Sequence, residues 1–290
     1  MILIAAIPVF MLTMLLEWRL TQDKPVIGYR LKDSAANIAM GLGSLVFIFA
    51  SKVVVLALYL ALYEQRVFDL PTGAWWVVLL LFFADDFCFY WYHRVSHEVR
   101  LLWAAHVNHH SSTTYNLSTA LRQPWTSQLF TWFFWMPLPF LGFHPLTIFV
   151  AQSINLLYQY WIHTELIDKM GAFGWVFNTP SHHRVHHGTH PRYLDRNYGG
   201  ILIVWDRLFG TFEPEVVASD YGLTRNINSY NLLDVAFHEW RDMFQELRSA
   251  RSWRGRTGAV LGPPGWREDG SGQTSQELRE AFIAAEKQAS

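Results

Sequence analysis

Three short runs of histidine constrain this chain more than anything else in it. His93 and His97 stand four positions apart. His106, His109 and His110 follow at i, i+3 and i+4, and His183, His186 and His187 repeat that spacing with His182 just before. His163 stands alone between the second and third runs. Residues three and four apart share one face of a helix, so the imidazoles of each run are expected to converge on the same ion. Eight or nine such ligands exceed what one ion holds, and two metals sharing them is the simplest account. Imidazoles scattered singly at a membrane interface would not be packed five within 18 residues and four within six.

The donor set narrows the metal. Cys88 is the only cysteine, which excludes an intrachain disulfide and thiolate sites. A structural zinc would be four-coordinate and closed, and eight histidines are too many for it. Iron with open positions fits better, because oxygen chemistry needs a redox metal. The sequence has no Glu-x-x-His pairs of the soluble di-iron bundles and no His-Glu-x-x-His of zinc proteases.

The rest of the chain reads as membrane protein. Hydrophobic residues make up 51% and charged residues 16%, against about 25% charged in an ordinary soluble domain. A net charge of -1 gives no reason to expect nucleic-acid binding. Apolar segments lie at about Met1–Leu16, Ala36–Tyr63, Ala74–Tyr92, Trp125–Leu141 and Leu146–Ile162. The first has no leading basic stretch or cleavage site and reads as a retained span. The second is interrupted at Lys52, where a tilt or break is expected. Gly142–Pro145 reads as a tight turn between the last two, which form a hairpin or re-entrant pair.

Arg19, Lys24, Arg30 and Lys32 cluster between the first two segments, which places that side inside. Following the chain from there, every histidine run ends on the same, cytosolic face, and His144 alone falls opposite. The fold class expected is therefore all-α: a multi-pass transmembrane bundle of about 4–5 spans or re-entrant helices, capped by a cytosolic histidine-rich di-metal domain. Residues 1–73 are expected to form the N-terminal spans, 74–215 the histidine-bearing core, and 216–290 a cytosolic C-terminal segment. Within that segment 248–273 reads as an irregular tail and Gln276–Lys287 as a short amphipathic helix. His144 and His238 read as polar residues without a metal.

Several other polar residues attract notice. Asp85 and Asp86 lie inside the third apolar segment, Asp86 roughly 11 Å along a helix from His93. Carboxylates in a span are costly and often functional. One of them, Asp86 foremost, would orient a ligand imidazole from behind; the other reading is a structural partner such as an Arg or Trp N–H. Asn116, Arg122 and Gln123 follow the second run and would face a polar headgroup or a reductant, or hold a loop by hydrogen bonds. Tyr158, Gln159 and Trp161 read as an interfacial belt before His163. Asp206 and Arg207 read as a local ion pair. No Gly-x-Gly-x-x-Gly loop opens a helix, so the electron donor is expected to be external.

The runs His93-x-x-x-His97, His106-x-x-His109-His110 and His183-x-x-His186-His187 resemble the fatty acid hydroxylase/sterol desaturase superfamily. So do their surroundings, Asn108 to Gln123, Leu157 to Glu165, Asn178 to Gly188, Asn197-Tyr-Gly-Gly and Trp205-Asp-Arg-Leu-Phe-Gly-Thr-Phe212, which lie closest to an ether-lipid branch of that superfamily. The likeness covers about residues 75–215. The resemblance implies two iron ions held by His93, His97, His106, His109, His110, His183, His186 and His187, with His163 and His182 beside them. It implies O₂ as co-substrate, a lipid substrate from the bilayer, an external reductant that in this branch is tetrahydrobiopterin, and hydroxylation of the carbon beside an ether oxygen. Rival readings on the same core are a fatty acid or sterol hydroxylase or desaturase, and a carotenoid oxygenase. A metal transporter or sensor fits less well, because transporters put such ligands near mid-membrane. Oligomeric state is not readable from the sequence.

Overall fold

The computed structural model describes residues 2–24 and 28–289; Met1, at the head of the first apolar segment, lies outside them. Among the described residues every regular element is helical, and pairing between extended segments is limited to two antiparallel bridges, Phe177 with Leu202 and Gly188 with Tyr221. Among the described residues three helices are long and apolar enough to cross a membrane: α1 (Ile2–Thr21), α2 (Leu31–Glu64) and α3 (Trp75–Glu98). Leu12, Val46, Val53 and Val54 on α1 and α2 are exposed, as suits side chains whose solvent is lipid.

The expected break at Lys52 does not occur. α2 is continuous for 34 residues, because the lysine ammonium rests 4.6 Å from the centre of the Phe149 ring and a cation over a ring face is favourable. At 1.5 Å per residue α2 is about 51 Å long, well beyond the ~30 Å hydrocarbon core. Its polar first turns therefore stand clear of the apolar layer, where they meet the histidine-bearing loops.

After α3 the chain turns at Val99 into two short helices, α4 (Arg100–Ala104) and α5 (Val107–His110). The segment expected as one span at Trp125–Leu141 is instead broken into a 3-10 turn at Ser127–Leu129, α6 (Thr131–Trp135) and α7 (Pro137–Leu141). Pro137 and Pro139 lack the N–H groups a continuous helix requires. Gly142, at φ 110°, turns α7 into α8 (Pro145–Trp161), and a Cβ there would lie 2.1 Å from the Phe68 carbonyl oxygen. α6, α7 and α8 pack against α2 and α3 through Tyr59, Val77, Leu81, Trp135, Leu138 and Ile148. The fourth and fifth apolar segments thus form a broken helical hairpin set against the through-going helices. His144 caps α8, its Nδ1 accepting from the Leu146 N–H at 3.3 Å.

Beyond the hairpin lie α9 (Pro180–His187), α10 (Val204–Phe209), α11 (Leu232–Ser249), α12 (Trp253–Leu261) and α13 (Ser275–Ala289). α13 covers the helix expected at Gln276–Lys287. α12 falls inside the stretch expected to be irregular. Ser252 caps it by accepting from the Gly255 N–H at 2.9 Å, a contact typically worth about 1 kcal/mol. The Trp266 ring packs against the bare Gly258, where a Cβ would lie 2.1 Å away. Arg100 ties α4 to α11 through Glu239 at 2.7 Å and through Glu246. At the other end, Glu17 of α1 is buried and accepts from Leu117 N at 2.8 Å, Tyr29 Oη and Thr164 Oγ1. That carboxylate fastens the first span to the loops around His110 and His163.

Candidate metal centre

Four elements deliver the histidines. α3 carries His93 and His97 one turn apart at its far end; His106 precedes α5, which carries His109 and His110; His163 lies two residues past α8. α9 begins with Pro180 at its first turn, where a missing N–H costs nothing, and Thr179 caps it. It carries His183, His186 and His187. All nine of these rings are buried.

They form two groups. His93, His97, His106, His110 and His186 make one; His109, His163, His183 and His187 make the other. Within each group one nitrogen from every ring lies within 4.8 Å of all the others. The groups cut across the runs rather than following them. In every run the i, i+4 pair shares a group, while His109 and His186 cross to the other. A helix turns once in 3.6 residues, so a fourth residue overshoots the full turn slightly and a third falls further short of it on the opposite side. The i+3 partner therefore points elsewhere when two sites lie side by side.

The far nitrogens are held by backbone carbonyls. Nδ1 of His93 donates to Tyr198 O at 2.8 Å, His109 to Arg122 O at 3.3 Å, His163 to Gln159 O at 2.7 Å and His186 to Arg196 O at 2.9 Å. A neutral imidazole that donates from Nδ1 presents a bare lone pair at Nε2. Nε2 of His163 and His109 then face each other at 3.3 Å with no proton between them. Nε2 of His93, His97, His186 and His187 are buried with no hydrogen-bond partner among the described residues. Lone pairs converging in a dry site repel unless a cation stands between them. The donor set therefore fits two metal ions, and it is made wholly of neutral nitrogen ligands suited to iron, copper or zinc rather than to magnesium or calcium.

Burial keeps the rings in that form. His106, His110, His163, His183, His186 and His187 are all held well below the ordinary imidazole range, first by loss of solvent and then by one another's proximity. Burial brings His109 down to about 4. Neutral imidazole is the ligating species, so the pocket keeps its ligands ready across the physiological range.

The remaining expected residues fall elsewhere. His182 lies outside both groups, its ring edge-on to Phe212 with centroids 5.4 Å apart. Asp86 touches no histidine in the structure. Its oxygens accept from Ile201 N (2.7 Å), Leu202 N (2.9 Å), Trp205 Nε1 (2.9 Å) and Asn155 Nδ2 (3.0 Å). Asp85 accepts from Trp135 Nε1 at 2.7 Å and Asn155 Nδ2 at 3.1 Å. Asn116 closes its own loop, accepting from Ser118 N at 3.0 Å and donating to Gly28 O at 2.9 Å. Arg122 is wholly buried and donates to Asn108 O, Ser111 Oγ and Asn37 Oδ1 at 2.8–3.0 Å. Asp206 does not pair with Arg207: it accepts from Tyr198 N and Gly199 N at 2.8 and 2.7 Å, while the Arg207 guanidinium lies 3.7 Å from the centre of the Phe212 ring.

The bracing of the ligands runs through the backbone, by partners that sequence reasoning did not identify. Asp86 and Asp206 together hold residues 198–202, the loop whose Tyr198 carbonyl orients His93. Asp33 was not singled out, although it is buried and bound to Arg122, Ser112 and Thr114. The available signal was a lone acid in the first turn of an apolar helix, a place where charge is costly without partners.

Comparison with known proteins finds a likeness over the same region. A family model described as fatty acid hydroxylase matches residues 78–211. Alkylglycerol monooxygenase of Xenopus tropicalis is 39% identical over 256 residues, covering 88% of this chain and 56% of that protein. The human alkylglycerol monooxygenase is 40% identical over 266 residues, covering 90% and 59%. An ornithine lipid hydroxylase of Rhizobium tropici is 33% identical over 171 residues, covering 56% and 50%. The chain thus spans a little under three-fifths of the length of these alkylglycerol monooxygenases. No solved structure matches it.

Proposed function

We propose a membrane-bound lipid monooxygenase that carries two iron ions and uses O₂ and an external reductant, on a chain whose residues 78–211 match the fatty acid hydroxylase family model. The observation that carries this reading is the pair of all-histidine groups, with Nδ1 atoms tied to carbonyls and Nε2 atoms bare and converging. His93, His97, His106, His110 and His186 would hold one ion, and His109, His163, His183 and His187 the other. Iron bound there would supply the activation of O₂ needed to break an unactivated C–H bond.

The chain's own residues do the rest. The carbonyls of Tyr198, Arg122, Gln159 and Arg196 fix ring tautomer and direction, so each ligand keeps its bare nitrogen inward. Burial of every ring excludes bulk water, which guards a reactive centre against wasteful quenching. α1, α2 and α3 would keep the centre beside the bilayer, from which a lipid reaches it without crossing water. On another side a cavity of about 510 Å³ opens onto His97, His110, His186 and His187 and is lined by Arg100, Asp195, Thr224 and Arg225. Its polar walls suit a soluble electron donor of tetrahydrobiopterin size, on the face we assign to the cytosol.

The relatives' name, alkylglycerol monooxygenase, points to an alkylglycerol as substrate; we place the hydroxylation on the carbon beside the ether oxygen. The test is metal analysis and Mössbauer spectroscopy on detergent-purified full chain, followed by incubation with alkylglycerol, O₂ and tetrahydrobiopterin. Two coupled irons and an aldehyde product support the proposal. Two irons with a hydroxylated or desaturated fatty acid or sterol instead would move the substrate. Folded protein that takes up no iron anaerobically would overturn it.

A further inference from the structure

A second polar cavity, of about 260 Å³, has no histidine among its lining residues. Arg30, Asp33, Ser111, Thr113, Arg122 and Tyr230 line it, with residues 226–229 closing one side. Its innermost feature is the Arg122 guanidinium, which is 1% exposed. Nε and Nη1 are engaged by Asn108, Ser111, Asn37 and Asp33. Nη2 takes no part in these hydrogen bonds, and Arg122 lines the cavity.

Charge decides what belongs there. Asp33 faces the same space, but its oxygens already receive Arg122 Nη1, Ser112 Oγ, Thr114 Oγ1 and Asn37 Nδ2. Arg30 at the rim is exposed and forms no ion pair among the described residues. Arg30 and Arg122 against the one carboxylate of Asp33 leave the cavity with a formal charge of +1 and the hydroxyls of Thr113 and Tyr230. We propose that this cavity binds a phosphate oxyanion, as the free ion, a soluble phosphoester or the headgroup of a phospholipid. A planar fork of N–H groups matches phosphate oxygens better than a point charge does. The volume equals about nine liquid waters, enough for phosphate with a few carbons. Arg30 directly precedes α2, so the site opens where a span leaves the membrane.

Occupancy would be felt at the metal centre. The carbonyl of Arg122 receives His109 Nδ1, and the Arg122 side chain holds the carbonyl of Asn108. An anion on Nη2 steadies the residue that positions a ligand from both its ends. This inference does not depend on the oxygenase reading, since it concerns binding alone.

The test uses the metal-loaded full chain in a phosphate-free maltoside detergent. Unfolding midpoints are measured against sodium phosphate, glycerophosphate and dioctanoylphosphatidylglycerol, with sodium chloride at equal ionic strength as control. Phosphate should raise the midpoint saturably where chloride does not. Arg30→Gln, a rim change that leaves the core intact, should weaken apparent affinity at least fivefold, and Arg122→Lys should abolish the effect. If the short-chain lipid binds tenfold more tightly than glycerophosphate, the bilayer is the source; if the two match, the source is soluble. No saturable response to any of the three, or a response unchanged in both variants, overturns the proposal.

Discussion

The backbone carbonyl of Tyr198 accepts a 2.8 Å hydrogen bond from Nδ1 of His93, and that carbonyl is held in place by two buried aspartates rather than by a helix. Asp206 binds the N–H groups of Tyr198 and Gly199; Asp86 binds those of Ile201 and Leu202. Asp86→Asn replaces one acceptor oxygen with a donor facing N–H groups. Leaving buried donors unmatched costs roughly 1–3 kcal/mol each, and loss of an outer partner of a metal ligand typically costs 10- to 100-fold in metal affinity. The variant should therefore insert in the membrane, melt several degrees lower and bind one of its two metals at least tenfold more weakly. Metal titration of the purified variant checks this; wild-type affinity at both sites would show that the loop orients itself.

Gly200 lies at the tightest point of the same loop. A Cβ there would stand 2.5 Å from Asn155 Oδ1, 2.8 Å from Phe89 Cδ1 and 2.9 Å from Asp86 Oδ1. None of these is the free end of a flexible chain, so Gly200→Ala must push the loop off Asp86. We expect a loss of stability of about 2 kcal/mol or more, in the range of overpacked cores. Gly270→Ala, with no atom within 4 Å of its Cβ but φ 72°, should cost only its backbone strain. Thermal unfolding of the two variants side by side gives the comparison.

The assignment of ligands to groups predicts a pattern of metal loss. His186→Ala and His187→Ala change adjacent residues of one helix, yet they should each remove a different ion and leave about one metal per chain. His182→Ala, one position before His183, should keep both ions, because its ring rests on Phe212 instead. Metal counts on the three variants decide the matter. Equal loss in His182→Ala and His187→Ala would place His182 among the ligands.

Acid should dismantle the metal-free protein in a defined window. Burial holds His109 down to about 4, and the histidines of α9 and His163 lie well below their ordinary value. In the unfolded chain each titrates near 6.5. A depressed folded pKa means that the unfolded state takes up protons first. Stability is thus fully present above about pH 6.5 and drains away as pH falls toward 4. Circular dichroism melts of metal-free full chain should show a midpoint flat from pH 8 to 7 and dropping steeply between 6.5 and 4. Bound metal competes with those protons and should shift the fall to lower pH; a midpoint unchanged down to pH 4.5 in the metal-free protein would contradict the burial argument.

The sequence by itself determined which histidines come together and which stretches form helices long and apolar enough to cross a membrane. Nine of the ten histidines expected near the ions lie in the two groups, because helical spacing of strong ligands is a local property that a one-dimensional pattern preserves. The first three apolar segments became α1, α2 and α3 for the same reason. Tertiary structure decided the rest. Which ring serves which ion depends on how four elements from distant parts of the chain cross. The different directions of the i+3 and i+4 positions had no meaning until two sites stood side by side. Asp86 was visible as a costly charge in a span, but its partners Ile201 and Leu202 lie more than 110 residues away. The prolines at 137 and 139 marked a break that hydrophobicity alone concealed. The carbonyls that aim the imidazoles carry no side-chain identity at all, since every residue has one, and only the folded path of the backbone selects those of Tyr198, Arg122, Gln159 and Arg196.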